Sequence, residues 1–309
     1  MSKASSKNSR LSKSEMNSNP WETGTEWLRK QPELRQLVID CYMDEDVTVA
    51  AERFSKGEEF AEVQRWAVRY GLPKGGRVLD MGAGNGISSY AWAIRGYAVM
   101  ALESNDGNTT GTRAIQRLSK QTGVDIEIYL GYGEHIELEG DSFDMVYCRA
   151  LLHHAADLNQ ICREAFRVLR SGGTMIATRE HVVDGPEQLA QFLQQHPTHW
   201  LTGTEMAYSL PEYQRALVQA GFKILRTYGP MDTVVNYYPK SINEQALRSA
   251  QAQLGCVVGS LVGRTALWQA FWKARQSKAS RPGRLYSFVA LKPPQGINSG
   301  KNKFGFQKV

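Results

Sequence analysis

Residues 79–86 read LDMGAGNG: an apolar approach, Asp80, then glycines at 82, 84 and 86. Glycine at alternate positions lets a turn bring its backbone close to a ligand, because no Cβ stands in the way. Before the turn, RVLDM (77–81) is a short apolar strand. After it, ISSYAWAIRG (87–96) is a helix closed by Gly96. Strand, glycine turn and helix together form the opening unit of a doubly wound α/β sheet.

The alternation continues outward. YAVMALE (97–103) is a second strand ending in Glu103, and GTRAIQRLSKQTG (111–123) a helix with Gly123 past its end. DIEIYLG (125–131) and FDMVYC (143–148) are the third and fourth strands. LNQICREAFRVLRSGG (158–173) is an amphipathic helix with Ile161, Ala165, Val168 and Leu169 inward, stopped by Gly172 and Gly173. TMIATRE (174–180), FKILRTYG (222–229) and LYSFVALK (285–292) complete the set. The expected fold is a Rossmann-like, doubly wound, seven-stranded sheet, mostly parallel with an antiparallel last strand. Ligands of such sheets lie outside the carboxyl ends of the strands.

Four parts are expected: a disordered basic tail (1–20), a helical N-terminal cap (21–72), the sheet domain (73–293) and a basic C-terminal tail (294–309). The cap breaks around Pro32 and near Gly57. Two insertions, 184–221 and 230–282, interrupt the sheet domain, and the second is expected to carry one long helix over 243–278. Insertions on a rigid sheet commonly shape the substrate site.

The chain has 309 residues, 42% of them hydrophobic, and a net charge of +6. No stretch approaches the ~20 consecutive apolar residues of a membrane span. The first residues, MSKASSKNSR, lack the apolar core of a secretory signal. Cys41, Cys148, Cys162 and Cys256 show no paired spacing, which fits reduced thiols and a cytoplasmic location. From Gln245 onward there is no acidic residue, while Arg248, Arg264, Lys273, Arg275 and Lys278 lie within or beside an apolar helix. Such a segment is either a solvated face or a peripheral membrane contact. GCVVGSLVG (255–263) sets glycines four apart, a packing face or a homodimer seam.

A nicotinamide-binding turn reads G-x-G-x-x-G, and its third glycine would fall at Ile87. The glycine turn, Glu103, the junction FDMVYCRALLHH and the GG before strand five occur here in that order. With them, residues 77–103 and 141–173 resemble class I S-adenosylmethionine (SAM)-dependent methyltransferases, closest to the group that includes the ubiquinone/menaquinone-type enzymes. The resemblance spans residues 60–292, weakly over the insertions. It implies SAM as cofactor, held by Asp80, Gly82, Ala83, Gly84 and Gly86, with Glu103 on the ribose hydroxyls and Ser104 near the adenine. Gly133 or Glu134 would meet the adenine amine, since Tyr132 takes the place where the family often has an acid. Cys148 and Arg149 would line the methionine side.

The implied activity is methyl transfer to a small-molecule acceptor, at an oxygen in the first instance, with nitrogen and carbon open. The layout around HPTHW and the basic C-terminal arm resembles methyltransferases that act on glycans or lipid-linked intermediates. An NAD(P)-dependent oxidoreductase and a SAM-binding protein without turnover are the competing classes. Nucleic acid is not expected as a partner. Five of the six histidines fall at carboxyl-edge segments. His154 and then His181 are the candidate proton acceptors, and each also has an ordinary structural reading, as a helix cap or a loop support. His196 and His199 form an H-x-x-H with no evident carboxylate partner, so no metal is expected.

Overall fold

The computed structural model describes residues 20–196, 199, 203 and 205–294. The two tails therefore lie outside the described residues, apart from the short stretch next to each boundary. The cap comprises α1 (Pro20–Arg29), a single 3-10 turn, α2 (Arg35–Asp40), α3 (Val47–Lys56) and α4 (Glu58–Arg69). Asp46 caps α3 by accepting from the Thr48 N–H. The sheet domain follows with β1 (Arg77–Met81), α5 (Ile87–Ala93), β2 (Ala98–Glu103), α6 (Thr112–Thr122), β3 (Glu127–Leu130) and β4 (Phe143–Arg149). Then come α7 (Leu158–Val168), β5 (Leu169–Val182), α8 (Pro186–Gln195), α9 (Leu210–Ala220), β6 (Lys223–Tyr228) and α10 (Val234–Tyr237). The last elements are α11 (Ile242–Leu254), α12 (Cys256–Gly263), α13 (Ala266–Lys278) and β7 (Arg284–Leu291).

The seven strands run β3-β2-β1-β4-β5-β7-β6. β3 through β5 pair in parallel, and β7 runs antiparallel to both β5 and β6. The doubly wound sheet with a reversed last strand is the fold expected above. Alternation along each strand builds two cores. Val78, Met145, Tyr147, Ile176 and Val289 enter the cluster that holds Phe54, Phe60 and Trp92 from α3–α5. Leu79, Met81, Val146, Met175 and Phe288 enter the one that holds Ile161 and Tyr213 from α7 and α9. The strand order reverses between β1 and β4, so their carboxyl ends splay there into a crevice.

Two elements depart from expectation. α7 ends at Val168, and Leu169 opens β5, paired with Phe143. Leu169 has no exposed surface and is claimed by the second core, so the strand begins before the glycine pair. The expected long helix over 243–278 is three helices: Gly255 sits at φ +79 and reverses the chain between α11 and α12, and the extended Thr265 (ψ 141) separates α12 from α13 and caps the latter. Gly259 of α12 then packs so closely on α11 that a Cβ would lie 2.4 Å from the Gln251 Cα. The glycine stripe is a packing face within this helical hairpin, and so is not free to serve as a seam for a second copy.

Candidate functional site

A cavity of about 490 Å³ opens at the carboxyl edge of the sheet. Its wall includes Gly82 and Gly84 of the turn, Glu103 and Ser104 after β2, and Arg149 at the end of β4. The cap closes it with Trp21, Leu28, Cys41 and Met43. The histidines His153, His154, His181 and His196 line it together with Arg179 and Glu205. A second cleft, about 540 Å³ and lined by Gly75, Arg77 and Glu127, opens at the opposite, amino-terminal edge and holds none of the motif residues.

The glycine turn is tied back to β2, where the N–H groups of Gly82 and Ala83 donate to the Leu102 carbonyl. Gly84 sits at φ +60 with nothing within 4 Å of the place a Cβ would occupy, so this face of the turn is open for a ligand. Its N–H donates to Glu103 Oε2 at 2.7 Å, and the Asn105 N–H donates to Oε1 at 3.0 Å. Burial raises the Glu103 carboxyl above the usual range, opposed by these donors. Ser104 adds further hydrogen bonds to the same carboxylate through its backbone and hydroxyl. An open glycine face beside a fixed carboxylate suits a nucleoside with two adjacent ribose hydroxyls.

Arg149 of β4 and Arg179 of β5 share one buried carboxylate from the cap. Arg149 Nε lies 2.7 Å from Glu59 Oε1, and Arg179 Nη1 lies 3.8 Å from Glu59 Oε2. Burial works against the Arg149 charge, but Glu59 overcomes it and raises the guanidinium further. Two guanidiniums set against one carboxylate leave this wall cationic, fit for a carboxylate of cofactor or acceptor.

The histidines form one group. His153 Nδ1 lies 2.8 Å from Glu180 Oε2, and Glu180 also accepts the backbone N–H groups of Leu151 and His153. Burial raises Glu180 to about 7, against those hydrogen bonds. Burial also holds His153 and His181 well below the ordinary imidazole range, and His196 below it. His181 Nδ1 faces the Gly283 carbonyl at 2.9 Å, an acceptor only, so that nitrogen carries the proton. Glu205, 3% exposed, stands within 3.8 Å of His153, His154 and His196. The fold thus brings a carboxylate to the first histidine of the H-x-x-H. His153, His154 and Glu205 are the described residues disposed to hold a metal ion.

Of the residues expected to hold the cofactor, Gly82, Gly84, Glu103, Ser104 and Arg149 line the cavity, as do both candidate bases, His154 and His181. Asp80 stands behind the turn, where its Oδ2 accepts from the hydroxyls of Ser88 and Ser89 at the start of α5. Ala83 belongs to the first core and Cys148 to the second. Gly86 opens α5 against Ile115, and Gly133 packs on Ile161. Glu134 accepts the Ala156 N–H and so braces the approach to α7. Tyr132, in the acidic place after β3, is exposed, and neither Gly133 nor Glu134 is among the residues that line the cavity. In the loop after β6, Asn236 donates to the carbonyls of Tyr228 and Gly229 and accepts from Ser287, which ties that side chain into the fold. Residues that sequence reasoning missed are Glu59, Arg179, His153, Glu205 and the cap side chains. His153 stands in the FDMVYCRALLHH junction beside His154 and was passed over; the others stand in no motif and reach the site only through tertiary packing.

Residues 79–177 match the family model described as "Methyltransferase domain". A ubiquinone biosynthesis O-methyltransferase of Agrobacterium fabrum is 26% identical over 162 residues, which cover 50% of this chain and 63% of that protein. A sarcosine/dimethylglycine N-methyltransferase of Halorhodospira halochloris is 32% identical over 157 residues, 50% of this chain and 53% of that one. The chain therefore spans less than two thirds of either relative. Among solved structures, geranyl diphosphate C-methyltransferase from Streptomyces coelicolor A3(2), in complex with Mg2+, geranyl-S-thiolodiphosphate and S-adenosyl-L-homocysteine, superposes with a TM-score of 0.52 at 13% identity. That match covers 75% of this chain and 76% of that one, and it is a likeness of fold.

Proposed function

We propose that this chain, whose residues 79–177 match a methyltransferase-domain family, is a class I SAM-dependent methyltransferase that moves a methyl group from SAM to a small-molecule acceptor, at an oxygen. The observation that carries the reading is the Glu103 carboxylate, fixed by two backbone N–H groups beside the open face of Gly84. Glu103 would take the two ribose hydroxyls, Ser104 would stand toward the adenine, and the backbone of Gly82 and Gly84 would follow the methionine chain. Arg149 and Arg179 face a carboxylate. When bound, the cofactor supplies an electrophilic methyl on a sulfonium, so a bond from acceptor oxygen to carbon forms as the carbon–sulfur pair returns to sulfur.

What remains for the protein is alignment and removal of the acceptor's proton. We assign the proton to the histidine wall, with His154 and His181 as the members that take it. Trp21, Leu28 and Met43 of the cap would exclude water from the aligned pair. An amine acceptor is the second reading, favoured by the sarcosine/dimethylglycine relative. The exposed apolar and basic helices α12 and α13 support a lipid-linked or glycan-bearing acceptor met at a membrane surface. No helix among the described residues is long and apolar enough to cross a membrane.

Glu103→Ala tests the reading. Losing two hydrogen bonds to a charged group should weaken SAM binding about 100-fold, measured by isothermal titration, with the melting curve still cooperative. Unchanged affinity would reject the assignment. Production of S-adenosylhomocysteine with hydroxylated or amine acceptors separates turnover from mere binding.

A further inference from the structure

We propose that His153, His154 and Glu205 form a binding site for a divalent cation of the zinc class, set in the wall of the cofactor cavity. Their ligand atoms lie within 4.8 Å of one another. His153 Nε2 and His154 Nε2 each stand 3.8 Å from Glu205 Oε2, and His196 Nδ1 stands 3.8 Å from Oε1 of the same carboxylate. These separations are too long for hydrogen bonds. They approach the ~3.4 Å between two ligands of a tetrahedral ion bound at ~2.0–2.1 Å. Closing the set takes a few tenths of an ångström for the two histidine–carboxylate pairs and side-chain movement of about an ångström for the widest pair, which lies within 4.8 Å.

The surroundings are those of a ligand group. Glu180 accepts from Nδ1 of His153 at 2.8 Å and is itself pinned by two backbone N–H groups, which turns the Nε2 lone pair toward Glu205. A carboxylate behind a histidine is the usual outer support of a metal-bound imidazole. The side chains of His153 and Glu205 are 2% and 4% exposed, so the donors meet in a dry place, while His154 at 24% reaches the cavity. Imidazole nitrogen with one carboxylate suits zinc and its cobalt substitute, and disfavours magnesium and calcium, which prefer oxygen. The donors come from the turn that follows β4 and from the segment before α9, so only the folded chain assembles them. On the reading that this cavity hosts methyl transfer, the ion would hold an oxygen of the acceptor; with the ion bound, His154 serves as a ligand and His181 is left to take the proton.

The test uses the untagged full chain, stripped with a chelator and titrated with Co2+ followed by absorption in the visible. The expected result is one equivalent of Co2+ with tetrahedral d–d bands, displaced by Zn2+. Removing an outer partner alone costs about 10–100-fold in metal affinity, so Glu180→Gln should weaken binding about tenfold, and Glu205→Gln or His154→Ala at least about 100-fold. His154→Ala, at the partly exposed position, guards against a buried variant that fails to fold. No stoichiometric Co2+ uptake by the wild type, or unchanged uptake in folded Glu205→Gln and His154→Ala, overturns the site. SAM titration on the same samples keeps the two readings apart. SAM binding without Co2+ uptake removes only the metal site, and Co2+ uptake without SAM binding removes only the methyltransferase reading.

Discussion

Asp80 leads the glycine pattern, yet its carboxylate turns from the cavity to the hydroxyls of Ser88 and Ser89. It is 1% exposed, and burial raises it to about 6, with the two serine hydrogen bonds opposing. An unfolded aspartate titrates near ~3.9. Between those values the folded chain holds the proton more firmly than the unfolded chain does. Stability therefore falls as pH rises from about 4 to about 6, then levels, at a cost of up to ~3 kcal/mol. Asp80→Asn keeps an acceptor for both serines and removes the charge. The melting temperature of the variant relative to wild type should then rise by about 5 °C between pH 4 and pH 7. A difference that stays flat across that range would refute the buried-charge account. Glu59 is the complementary case. With no exposed surface, it answers the guanidiniums of Arg149 and Arg179. Glu59→Gln should cost about 3–5 kcal/mol in urea unfolding, because it strands buried charge, and Arg149→Met in the same chain should return part of the loss. Glu103 was legible because it ends a strand beside a glycine turn. Glu59 was not, since in EEFAEVQRWAVRY it reads as one more charged position on an amphipathic helix.

At the scale of elements, the sheet was legible because two periods alternate along the chain: short apolar runs bounded by turn residues, then helical stripes. The failures sit where a single dihedral or a tertiary contact decides. A helical pattern runs through 243–278 without interruption; the positive φ of Gly255 folds it back once, and the extended Thr265 breaks it again before α13. Likewise Leu169 fits the inward stripe of α7 and the start of β5 equally well, and its pairing with Phe143 settles the matter. The α11–α12 hairpin depends on the smallness of Gly259, whose missing Cβ lets the two backbones touch. Gly259→Leu should force them apart. Hydrogen exchange over 242–263 should then quicken at least about tenfold, roughly 1.4 kcal/mol of local opening, while β1 and β4 keep their protection. Equal protection of the hairpin in the variant would mean that the close approach does not hold it together.

For the molecule as a whole, charge and apolar surface gather on the helices that the sheet does not need. Val257 is 76% exposed, Leu261 72% and Leu267 83%, and Phe271 is also exposed. Arg264, Lys273, Arg275 and Lys278 lie in or beside the same two helices, and no acidic residue follows Glu244. An apolar knob ringed by cations matches the interface of an anionic bilayer, where apolar burial and attraction to acidic headgroups add. The full chain should therefore sediment with vesicles containing about 30% phosphatidylserine and stay in solution with purely zwitterionic ones. Each basic residue near the surface contributes ~1 kcal/mol at modest ionic strength, so binding should weaken steeply toward 1 M salt, where the screening length falls to ~3 Å. Val257→Asp with Leu261→Asp, both at exposed positions far from Glu103 in the chain, should abolish sedimentation and leave SAM affinity unchanged. If the wild type ignores anionic vesicles at low salt, the membrane assignment fails. If it instead forms a dimer that the same pair of substitutions dissolves, the knob belongs to a second copy of the chain.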